Sequence, residues 1–444
     1  MTDNPRRAAA DILFKIYKNG AYLNEELNNL RRSGMLSETD MRFVTELTNG
    51  VIKYKLRLDY IIGKNSSVKV KKIAPYILAI LECAVYQMIF MDRVPDSAAV
   101  NEGVKLTKTK NLSRSSGFVN GVLRSISKCY DTIAYPEDRA EYLSVYYSYP
   151  LWICRRWIEE FGAERTEALL RAFEEKADIM LRCNSLRTDV KKLTESLNND
   201  GCTAKVFSKD GFKIDYLAEC SQISNIANLD SYRKGWFYVQ DFAAALTVEA
   251  LAPEPGMTVM DMCAAPGGKT THMAEKMNNQ GKIYAFDIHN HKIATINENA
   301  ARLGIDIINA ECGNSAEFDR RFEAIADRVL VDAPCSGMGV LRRKPDIKYS
   351  RSEGDIEQLA DTGYAILENS SRYVKNGGIL VYSTCTIEHI ENDGVTERFL
   401  QNHPEFRKVT LDICDKDNDG SITLYPDTDG CDGFYICKMQ RVSL

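Results

Sequence analysis

The chain has 444 residues, of which 44% are hydrophobic and 27% are charged. Single cores stop growing at roughly 250–300 residues, so this length excludes one compact domain and predicts two or three. The composition also excludes a disordered or collagen-like chain. The net charge is −5, but residues 1–135 carry 21 Lys and Arg against 13 Asp and Glu. This net +8 predicts contact with a polyanion; the alternative is a merely solvated helical surface.

No apolar segment follows the basic N-terminus, which argues against a secretory signal and predicts a cytoplasmic protein. The apolar stretch from Ile73 to Met91 is interrupted by Pro75, Glu82 and Gln87. It therefore predicts a buried core helix beginning near Pro75 rather than a membrane span, which needs ~20 predominantly apolar residues. Thirteen cysteines without a C-x-x-C pair predict neither a disulfide framework nor a structural zinc site.

Residues from about 5 to 130 show helical periodicity without strand alternation, which predicts an all-α domain over residues 1–135. Ser37 and Asp40 resemble a capping box in front of a helix from Met41 to Leu58. The periodicity is marked by Leu13, Ile16, Tyr17, Val119, Val122, Leu123 and Ile126. The polar stretch from Asp131 to Arg139 is typical of a linker.

Residues 140–235 predict a small α+β domain in which short strands accompany a helix. Asp189 is positioned to cap that helix. Other helices are indicated by Trp152, Trp157 and Glu164–Glu175, and strands by Ile179–Cys183 and Lys205–Phe207.

Residues 236–444 alternate short apolar strands with helix-length segments, as βαβ units require. The predicted strands are Met257–Met262, Lys282–Asp287, Ile307–Glu311, Ala326–Asp332 and Gly378–Ser383. This pattern predicts a parallel, doubly wound sheet. Ligands of such sheets bind beyond the carboxyl ends of the strands, near the point where strand order reverses.

The first predicted strand runs into a turn of small residues that opens a helix, where backbone N–H groups can approach a ligand closely. The turn contains Cys263, Ala264, Ala265, Pro266, Gly267, Gly268 and Lys269. A Walker A loop needs Gly where Cys263 stands, and the dinucleotide pattern G-x-G-x-x-G is absent. The remaining interpretation is a nucleoside-cofactor loop without a pyrophosphate cradle, which suits S-adenosylmethionine.

Asp287 ends the second predicted strand, about 20 residues beyond the paired glycines. An acidic side chain at this position can accept hydrogen bonds from both ribose hydroxyls of a nucleoside. The alternative is an ordinary cap for a helix that begins near Asn290.

Two cysteines follow the fourth and fifth predicted strands, in the segments Asp332–Gly339 and Tyr382–Thr386. These strands are neighbours in the usual methyltransferase sheet, so we expect Cys335, Cys385 and the Asp332 carboxylate to share one crevice. A single cysteine is more often a buried hydrophobe, but two of them in small-residue turns on adjacent strands favour chemistry.

Methylation of a pyrimidine carbon needs such a set of groups. C5 of cytosine is a poor nucleophile, so a thiolate first adds to C6 and makes an enamine that can attack a methylsulfonium. A carboxyl group at the N3/N4 edge stabilises the charge that develops during addition. A base then removes the C5 proton, and the thiol leaves by elimination. Amino-group methylation needs no thiol, and its Asx-Pro-Pro-aromatic signature is absent.

With these residues the sequence resembles the Sun/Fmu family of RNA cytosine-5 methyltransferases, in particular the RsmB type that modifies 16S ribosomal RNA. The resemblance spans nearly the whole chain, with a NusB-like all-α front, an RRM-like α+β middle and a Rossmann-like class I methyltransferase domain. Besides the cysteine turns, it is carried by Pro95–Glu102, Gly117–Arg124, Leu181–Leu186, Tyr238–Asp241, Arg342–Asp346 and Asp432–Tyr435.

The resemblance implies that Cys385 is the nucleophile and that Cys335 assists product release. It implies that Cys263–Lys269, Asp287 and Asp332 contact S-adenosylmethionine. It also implies that the partner is 16S ribosomal RNA, and we expect a monomer that contacts no membrane.

Two positions depart from the family pattern. The family usually has Asp after the third strand, whereas Gly313 and Asn314 stand here, so an adenine-amine contact would be made by the neutral amide of Asn314. Lys292 stands where the family often has Arg, in the turn after the second acidic position. Neither change touches the thiols, so we expect activity.

The segment Asp415–Ile422 matches the first eight positions of an EF-hand loop, but Pro426 replaces the bidentate Glu of position twelve. We expect a solvated loop flanked by strands, and no metal, since the five histidines also lack ligand spacing. Two other function classes fit these residues less well than methyl transfer does. A non-catalytic RNA-binding or antitermination factor has no use for paired thiols, and a nicotinamide dehydrogenase needs the missing dinucleotide glycines.

Overall fold

The computed structural model describes residues 4–109, 112–223, 225–415 and 417–443. The chain forms two compact units. Unit 1 contains the chain up to Glu174 together with Lys344–Ser350, and unit 2 contains Glu175–Arg343 and the chain from Arg351 onward. The domain boundaries that the sequence suggests at 135, 140 and 235 stay predictions.

The α-helices of the described residues are α1 (Pro5–Asn19), α2 (Leu23–Arg32), α3 (Glu38–Lys53), α4 (Lys55–Asn65), α5 (Pro75–Phe90), α6 (Asp96–Thr109), α7 (Ser116–Ile126), α8 (Arg139–Tyr146), α9 (Leu151–Phe161), α10 (Ala163–Ala172), α11 (Val190–Asn199), α12 (Asp230–Arg233), α13 (Phe242–Leu251), α14 (Gly268–Lys276), α15 (Asn290–Leu303), α16 (Ile347–Ser350), α17 (Glu353–Ser371), α18 (Asp393–Asn402) and α19 (Pro426–Asp429). The strands are β1 (Ile179–Cys183), β2 (Thr203–Val206), β3 (Leu217–Ser221), β4 (Phe237–Val239), β5 (Thr258–Asp261), β6 (Lys282–Asp287), β7 (Ile308–Cys312), β8 (Ala326–Asp332), β9 (Val374–Thr384), β10 (Phe406–Lys408), β11 (Ser421–Leu424) and β12 (Phe434–Arg441).

The regular elements of unit 1 are all helices in the described part of the chain, as the periodicity predicts for residues 5–130. Its central helix α5 is buried along most of its length and packs against α1, α3, α4, α6 and α7. The start of α5 at Pro75 confirms the predicted core helix, because proline is tolerated in the first turn. In the described ranges, no helix is long and apolar enough to cross a membrane.

The helix predicted from Met41 to Leu58 is divided at Tyr54, where α3 ends and α4 begins. Tyr54 leaves the helical conformation, with φ −106° and ψ 19°, and its ring stacks on Phe90 with centroids 4.2 Å apart. Tertiary packing therefore overrides the local period at this point. The predicted cap is present, since Ser37 Oγ accepts the N–H of Asp40 at 3.1 Å.

The segment Lys344–Ser350 belongs to unit 1, although it follows β8 in sequence. Lys348 is only 1% exposed, and its Nζ donates to the Lys53 carbonyl at 2.8 Å. The same Nζ lies 4.1 Å from the centre of the Tyr149 ring. The Tyr349 hydroxyl donates to the Ser148 carbonyl at 2.9 Å. Burial lowers the pKa of Lys348 well below its usual range.

The smaller sheet of unit 2 is antiparallel, with strand order β2-β3-β1-β4, and α11 packs on it. Asp189 caps α11 as predicted, accepting the N–H of Lys192 at 2.9 Å. β4 lies beyond the predicted boundary at 235 but pairs with β1 in this sheet. The buried side chain of Phe237 explains this, since it contributes to the small core with Leu181 and Leu193.

The larger sheet has the order β10-β12-β9-β8-β5-β6-β7, with β11 paired to β12. β5 to β9 are parallel, as predicted, and β10, β11 and β12 add an antiparallel edge that the sequence interpretation lacked. A parallel connection needs a crossover of a dozen or more residues, whereas nine residues (425–433) separate β11 from β12, so these two strands pair antiparallel. The strand order reverses between β5 and β8, which places the carboxyl ends of β5, β6, β8 and β9 around one crevice.

Candidate active site

The turns after β8 and β9 bring two thiols together. The sulfur atoms of Cys335 and Cys385 are 3.3 Å apart, and both side chains are half-buried. The Cys385 sulfur and burial raise the pKa of the Cys335 thiol. Two sulfur anions this close would repel each other strongly, so ionisation of both thiols at once is disfavoured.

Close backbone packing keeps the two cysteine turns in register. The N–H of Gly339 donates to the Cys385 carbonyl at 3.0 Å, and the N–H of Gly433 donates to the Gly339 carbonyl at 2.7 Å. A Cβ atom on Gly339 would lie 2.0 Å from the Gly433 carbonyl oxygen. Only glycine fits at position 339, because the absence of a side chain lets the backbone of the Cys335 turn approach the backbone at Gly433.

Asp332, at the end of β8, is bound on both carboxylate oxygens. Lys269 Nζ lies 2.7 Å from Oδ2, and the buried Ser383 hydroxyl donates to Oδ1 at 2.8 Å. Burial lowers the pKa of Lys269, but the ion pair with Asp332 outweighs it and raises that pKa overall. The result is a fixed carboxylate and ammonium beside the thiols.

The small-residue turn after β5 has the form that a nucleoside cofactor requires. Gly267 has φ +98°, in the left-handed region, and α14 begins at the next residue. The N–H of Ala264 donates to the Phe286 carbonyl at 2.8 Å, which ties the turn to β6. Asp261 is 1% exposed and accepts the Thr270 hydroxyl at 2.7 Å, so the two ends of the turn are joined. Burial raises the pKa of Asp261 to about 7.

Asp287 lies at the end of β6 and is 7% exposed. Its Oδ1 accepts the N–H of His289 at 3.0 Å and lies 3.4 Å from Lys292 Nζ. The cap of α15 is His289, which has no side-chain cap bond, so the alternative role of Asp287 as the helix cap does not apply. Ile288, next in sequence, is an exposed apolar side chain on the cleft wall.

Asn314 lies in the turn after β7, and its amide is used within that turn. Its Oδ1 accepts the N–H of Ala316 at 3.1 Å, and its Nδ2 donates to Glu317 at 2.9 Å. The side chain nevertheless forms part of the cleft wall opposite Asp287.

A cleft of about 490 Å³ connects these parts. The predicted residues on its wall are Cys263, Ala265, Asp287, Asn314, Asp332, Cys335 and Cys385. Ala264, Pro266, Gly268 and Lys269 face a neighbouring cavity that shares Cys263, Ala265 and Asp332 with the cleft. The predicted cofactor loop and the paired thiols therefore meet at Asp332. A Cβ atom on Gly267 would lie 3.4 Å from the Ile296 Cα, so this part of the loop lies close to α15.

Sequence reasoning missed a buried arginine that holds the cofactor loop. Arg182, on β1, is 0% exposed and donates to the Gly268 carbonyl at 2.6 Å and to Gln240 Oε1 at 2.5 Å. It also forms an ion pair with Glu275 on α14. The only available signal was that Arg182 lies in one of the family-like segments.

Three other family-like segments meet in one ion-pair cluster. Arg343 donates to Asp432 at 2.6 Å and to Asp241 at 2.5 Å, and Arg342 also pairs with Asp432. The pairing fixes the chain that leaves the Cys335 turn. Local periodicity carries no information about such a meeting of distant segments.

Within the described ranges, no group of three His, Cys, Asp or Glu side chains is arranged to hold a metal ion. Lys416 of the EF-hand-like segment lies outside those ranges. The described residues on either side lead to β10 and β11, so strands flank the segment as predicted.

Family models match three parts of the chain. The model described as 16S rRNA methyltransferase RsmB/F matches residues 248–440, the NusB family model matches 3–128, and the ferredoxin-like domain model of RsmF/B-like methyltransferases matches 149–217. The chain is 36% identical to the "Probable ribosomal RNA small subunit methyltransferase B" of Bacillus subtilis (strain 168), over 98% of each chain. The chain belongs to the RsmB/F family of 16S rRNA methyltransferases.

Other similar proteins match over the same length. The Synechocystis protein called "Probable ribosomal RNA small subunit methyltransferase B" is 33% identical, over 98% of this chain and 99% of its own. The crystal structure of PH0851 is similar with a TM-score of 0.82 and 25% identity, over 99% of this chain and all of that one. The predicted NusB-like, small α+β and methyltransferase folds are thus confirmed.

Proposed function

We propose that the chain transfers a methyl group from S-adenosylmethionine to C5 of a cytosine in 16S ribosomal RNA through a covalent adduct on Cys385. The observation that carries the proposal is the 3.3 Å separation of the Cys335 and Cys385 sulfurs beside the Asp332 carboxylate. An amino-group methyltransferase has no use for a thiol pair at this point of the sheet.

The cleft residues fit S-adenosylmethionine. The contacts that Asp287 makes with His289 and Lys292 use Oδ1, so Oδ2 is the oxygen for the ribose hydroxyls. Ile288 offers an apolar surface to the adenine ring, and the turn at Gly267 lets backbone approach the ligand. When bound, the cofactor supplies a methyl group on a sulfonium, and that cation suits a site with acidic side chains.

The Cys385 thiolate attacks C6 of the cytosine, and the new C–S bond shifts the electron pair of the ring double bond onto C5. The Asp332 carboxylate, held by Lys269 and Ser383, accepts a hydrogen bond from the N4 amino group, and the Lys269 ammonium beside it stabilises the negative charge that develops at N3. The methyl group would then pass to C5 while the bonding electron pair stays on the cofactor's sulfur, and a base removes the C5 proton. The electrons of that C–H bond restore the double bond and expel the Cys385 thiolate.

The charge state of the thiol pair supports different roles for its members. The raised pKa keeps Cys335 in its protonated form, which is a poor nucleophile. Cys385 is then the nucleophile, and Cys335 assists only when the product is released.

The test uses the full chain, 16S ribosomal RNA and S-adenosylmethionine, followed by a denaturing gel. Cys385→Ala should abolish methyl transfer and form no adduct, since no C6 bond can be made. Cys335→Ala should add and methylate but release slowly, leaving a protein–RNA complex that survives denaturation. If the Cys385 variant traps RNA and the Cys335 variant does not, the roles are reversed. Full activity in both variants would exclude covalent catalysis by this pair.

The position of the methyl group needs a separate measurement. Bisulfite sequencing of ribosomal RNA from cells with and without the gene should show one cytosine that is protected only when the gene is present. Loss of a base-methyl signal at an exocyclic amine, with no protected cytosine, would contradict the assignment to C5.

A further inference from the structure

Behind the two thiols, Glu391 holds the residue that directly follows Cys335. The N–H of Ser336 donates to Glu391 Oε1 at 2.7 Å, and the Ser336 hydroxyl donates to Oε2 at 2.5 Å. Ser336 is 0% exposed and Glu391 is 1% exposed, so water does not compete for these bonds. The Tyr382 hydroxyl also donates to the Glu391 carbonyl at 2.8 Å, which anchors Glu391 to β9.

The same contacts reach the turn that carries Cys385. Ser336 Oγ lies 2.9 Å from the hydroxyl of Thr386, the residue directly after Cys385. Asn392, next to Glu391, donates from Nδ2 to the Thr386 carbonyl at 3.0 Å and accepts the Thr384 hydroxyl at 2.5 Å. Both cysteine turns are therefore held by consecutive side chains of one short segment.

We propose that Glu391 is a positioning residue that sets Cys335 relative to Cys385 through Ser336. The two side-chain oxygens of Glu391 accept both donors of Ser336, the residue after Cys335. Without them the buried Ser336 N–H has no acceptor, and the turn must move to satisfy it. The inference rests on the proposed division of work between the thiols, since it assigns Glu391 to the release step.

Glu391→Ala should leave addition by Cys385 intact and slow release, so that the full chain accumulates denaturation-resistant RNA adduct. At the lower limit of the free energy that a hydrogen bond to a charged group contributes, its loss corresponds to about a ten-fold slower release. Glu391→Gln should recover part of the rate, because its amide oxygen can still accept the Ser336 N–H. Glu397→Gln removes an exposed carboxylate from α18 and should behave like the parent.

A second measurement reads the geometry without RNA. Diamide, a two-electron oxidant, should join Cys335 and Cys385 in a disulfide, because each thiol gives up one proton and one electron to it. Mass spectrometry of the cross-linked peptides identifies the disulfide. Glu391→Ala should form this disulfide about ten-fold more slowly, if the hydrogen bonds from Ser336 to Glu391 hold the sulfurs together. Ser336→Ala, a smaller change that keeps the N–H, should lie between that variant and the parent even if Glu391→Ala folds poorly.

The outcomes separate the two proposals. If Cys335→Ala traps RNA but Glu391→Ala releases it and forms the disulfide as the parent does, Glu391 has no positioning role and the proposed function stands. If Cys335→Ala traps nothing, the proposed release role fails, and the disulfide rates alone decide whether Glu391 positions the thiols. A Glu391→Ala chain that neither adds to RNA nor binds S-adenosylmethionine indicates general structural damage and overturns the specific assignment.

Discussion

Arg182 and Glu275 form a buried, two-pronged ion pair beneath the cofactor loop. Arg182 Nε lies 2.9 Å from one carboxylate oxygen, Nη2 lies 2.8 Å from the other, and both side chains are at most 3% exposed. The pair joins β1 of the small sheet to α14 of the large one. Burial on its own would raise the pKa of Glu275, and Arg182 is the main group that opposes this.

Arg182→Met should destabilise the protein by about 3–5 kcal/mol, because it leaves the Glu275 carboxylate buried without its cation. It should also weaken S-adenosylmethionine binding, since the Gly268 carbonyl loses its donor. Thermal unfolding and calorimetry measure the two effects. The double variant Arg182→Met, Glu275→Leu should recover stability but not cofactor affinity. Equal stability of the single and double variants would contradict this account of the pair.

Asp287→Ala should weaken S-adenosylmethionine binding, because it removes a charge-assisted contact with the ribose. Such a contact is worth about 1.5–3 kcal/mol, or roughly 10–150-fold in affinity. Isothermal titration calorimetry measures it, and Asp306→Ala, an exposed carboxylate before β7, is the matched control. An unchanged affinity in the Asp287 variant would remove this residue from the site.

Exposed lysines in unit 1 should contribute to RNA affinity through phosphates. Lys69, Lys71 and Lys72 lie together between α4 and α5 and are exposed. Changing all three to Gln should reduce the slope of log affinity against log salt concentration by about 2–3, since each phosphate that is no longer contacted keeps its counterions. Lys282→Gln, at the amino end of β6, should leave the slope as it is.

Filter binding at several salt concentrations measures these slopes. Point variants are better suited than a deletion of residues 1–130, because unit 1 continues to Glu174 and a cut at 130 divides it. Identical slopes in the triple variant and the parent would mean that this basic loop only solvates a helical surface.

Stability should depend on the protonation of Asp261. Burial raises its pKa to about 7, whereas an unfolded Asp titrates near 3.9. Between these values the folded chain keeps a proton that the unfolded chain has lost, so this group's contribution to stability falls as pH rises. The slope is about 1.4 kcal/mol per pH unit from pH 4 to 7, and it ends above pH 7.

Asp261→Asn removes this titration. The unfolding free energy of the parent should therefore fall relative to that of the variant as pH rises from 5 to 7. Above pH 7 the difference between the two should stay constant. Urea unfolding at fixed ionic strength measures it. A difference that does not change with pH would show that Asp261 is already ionised in the folded chain at pH 5.

The sequence predicted those parts of the site that follow directly from the succession of strands and turns along the chain. Cys335 and Cys385 each follow a predicted strand, and parallel strands bring their carboxyl ends to one edge, so their meeting could be inferred. Strand β8 coincides with the predicted segment, and its centre, Val329–Val331, is the buried apolar run that a strand covered on both faces shows.

Contacts between distant segments could not be predicted in this way. Arg182 and Glu275 are 93 positions apart, and each looks like an ordinary charged residue in its own segment. The division of the first predicted long helix at Tyr54 depends on stacking with Phe90, which belongs to another helix. In both cases the partner is chosen by tertiary packing, and periodicity reports only which side of an element is apolar.

The Lys344–Ser350 segment has a consequence for how the chain folds during synthesis. Translation begins at the N-terminus, so the helices up to α10 emerge long before Lys348 and Tyr349, which cover Tyr149 and bind the Ser148 carbonyl. The last piece of unit 1 arrives only after β8 and the Cys335 turn have been made. A nascent chain paused before residue 344 therefore exposes an aromatic surface that the finished protein hides, and a chaperone or a protease meets the helical unit in that open form.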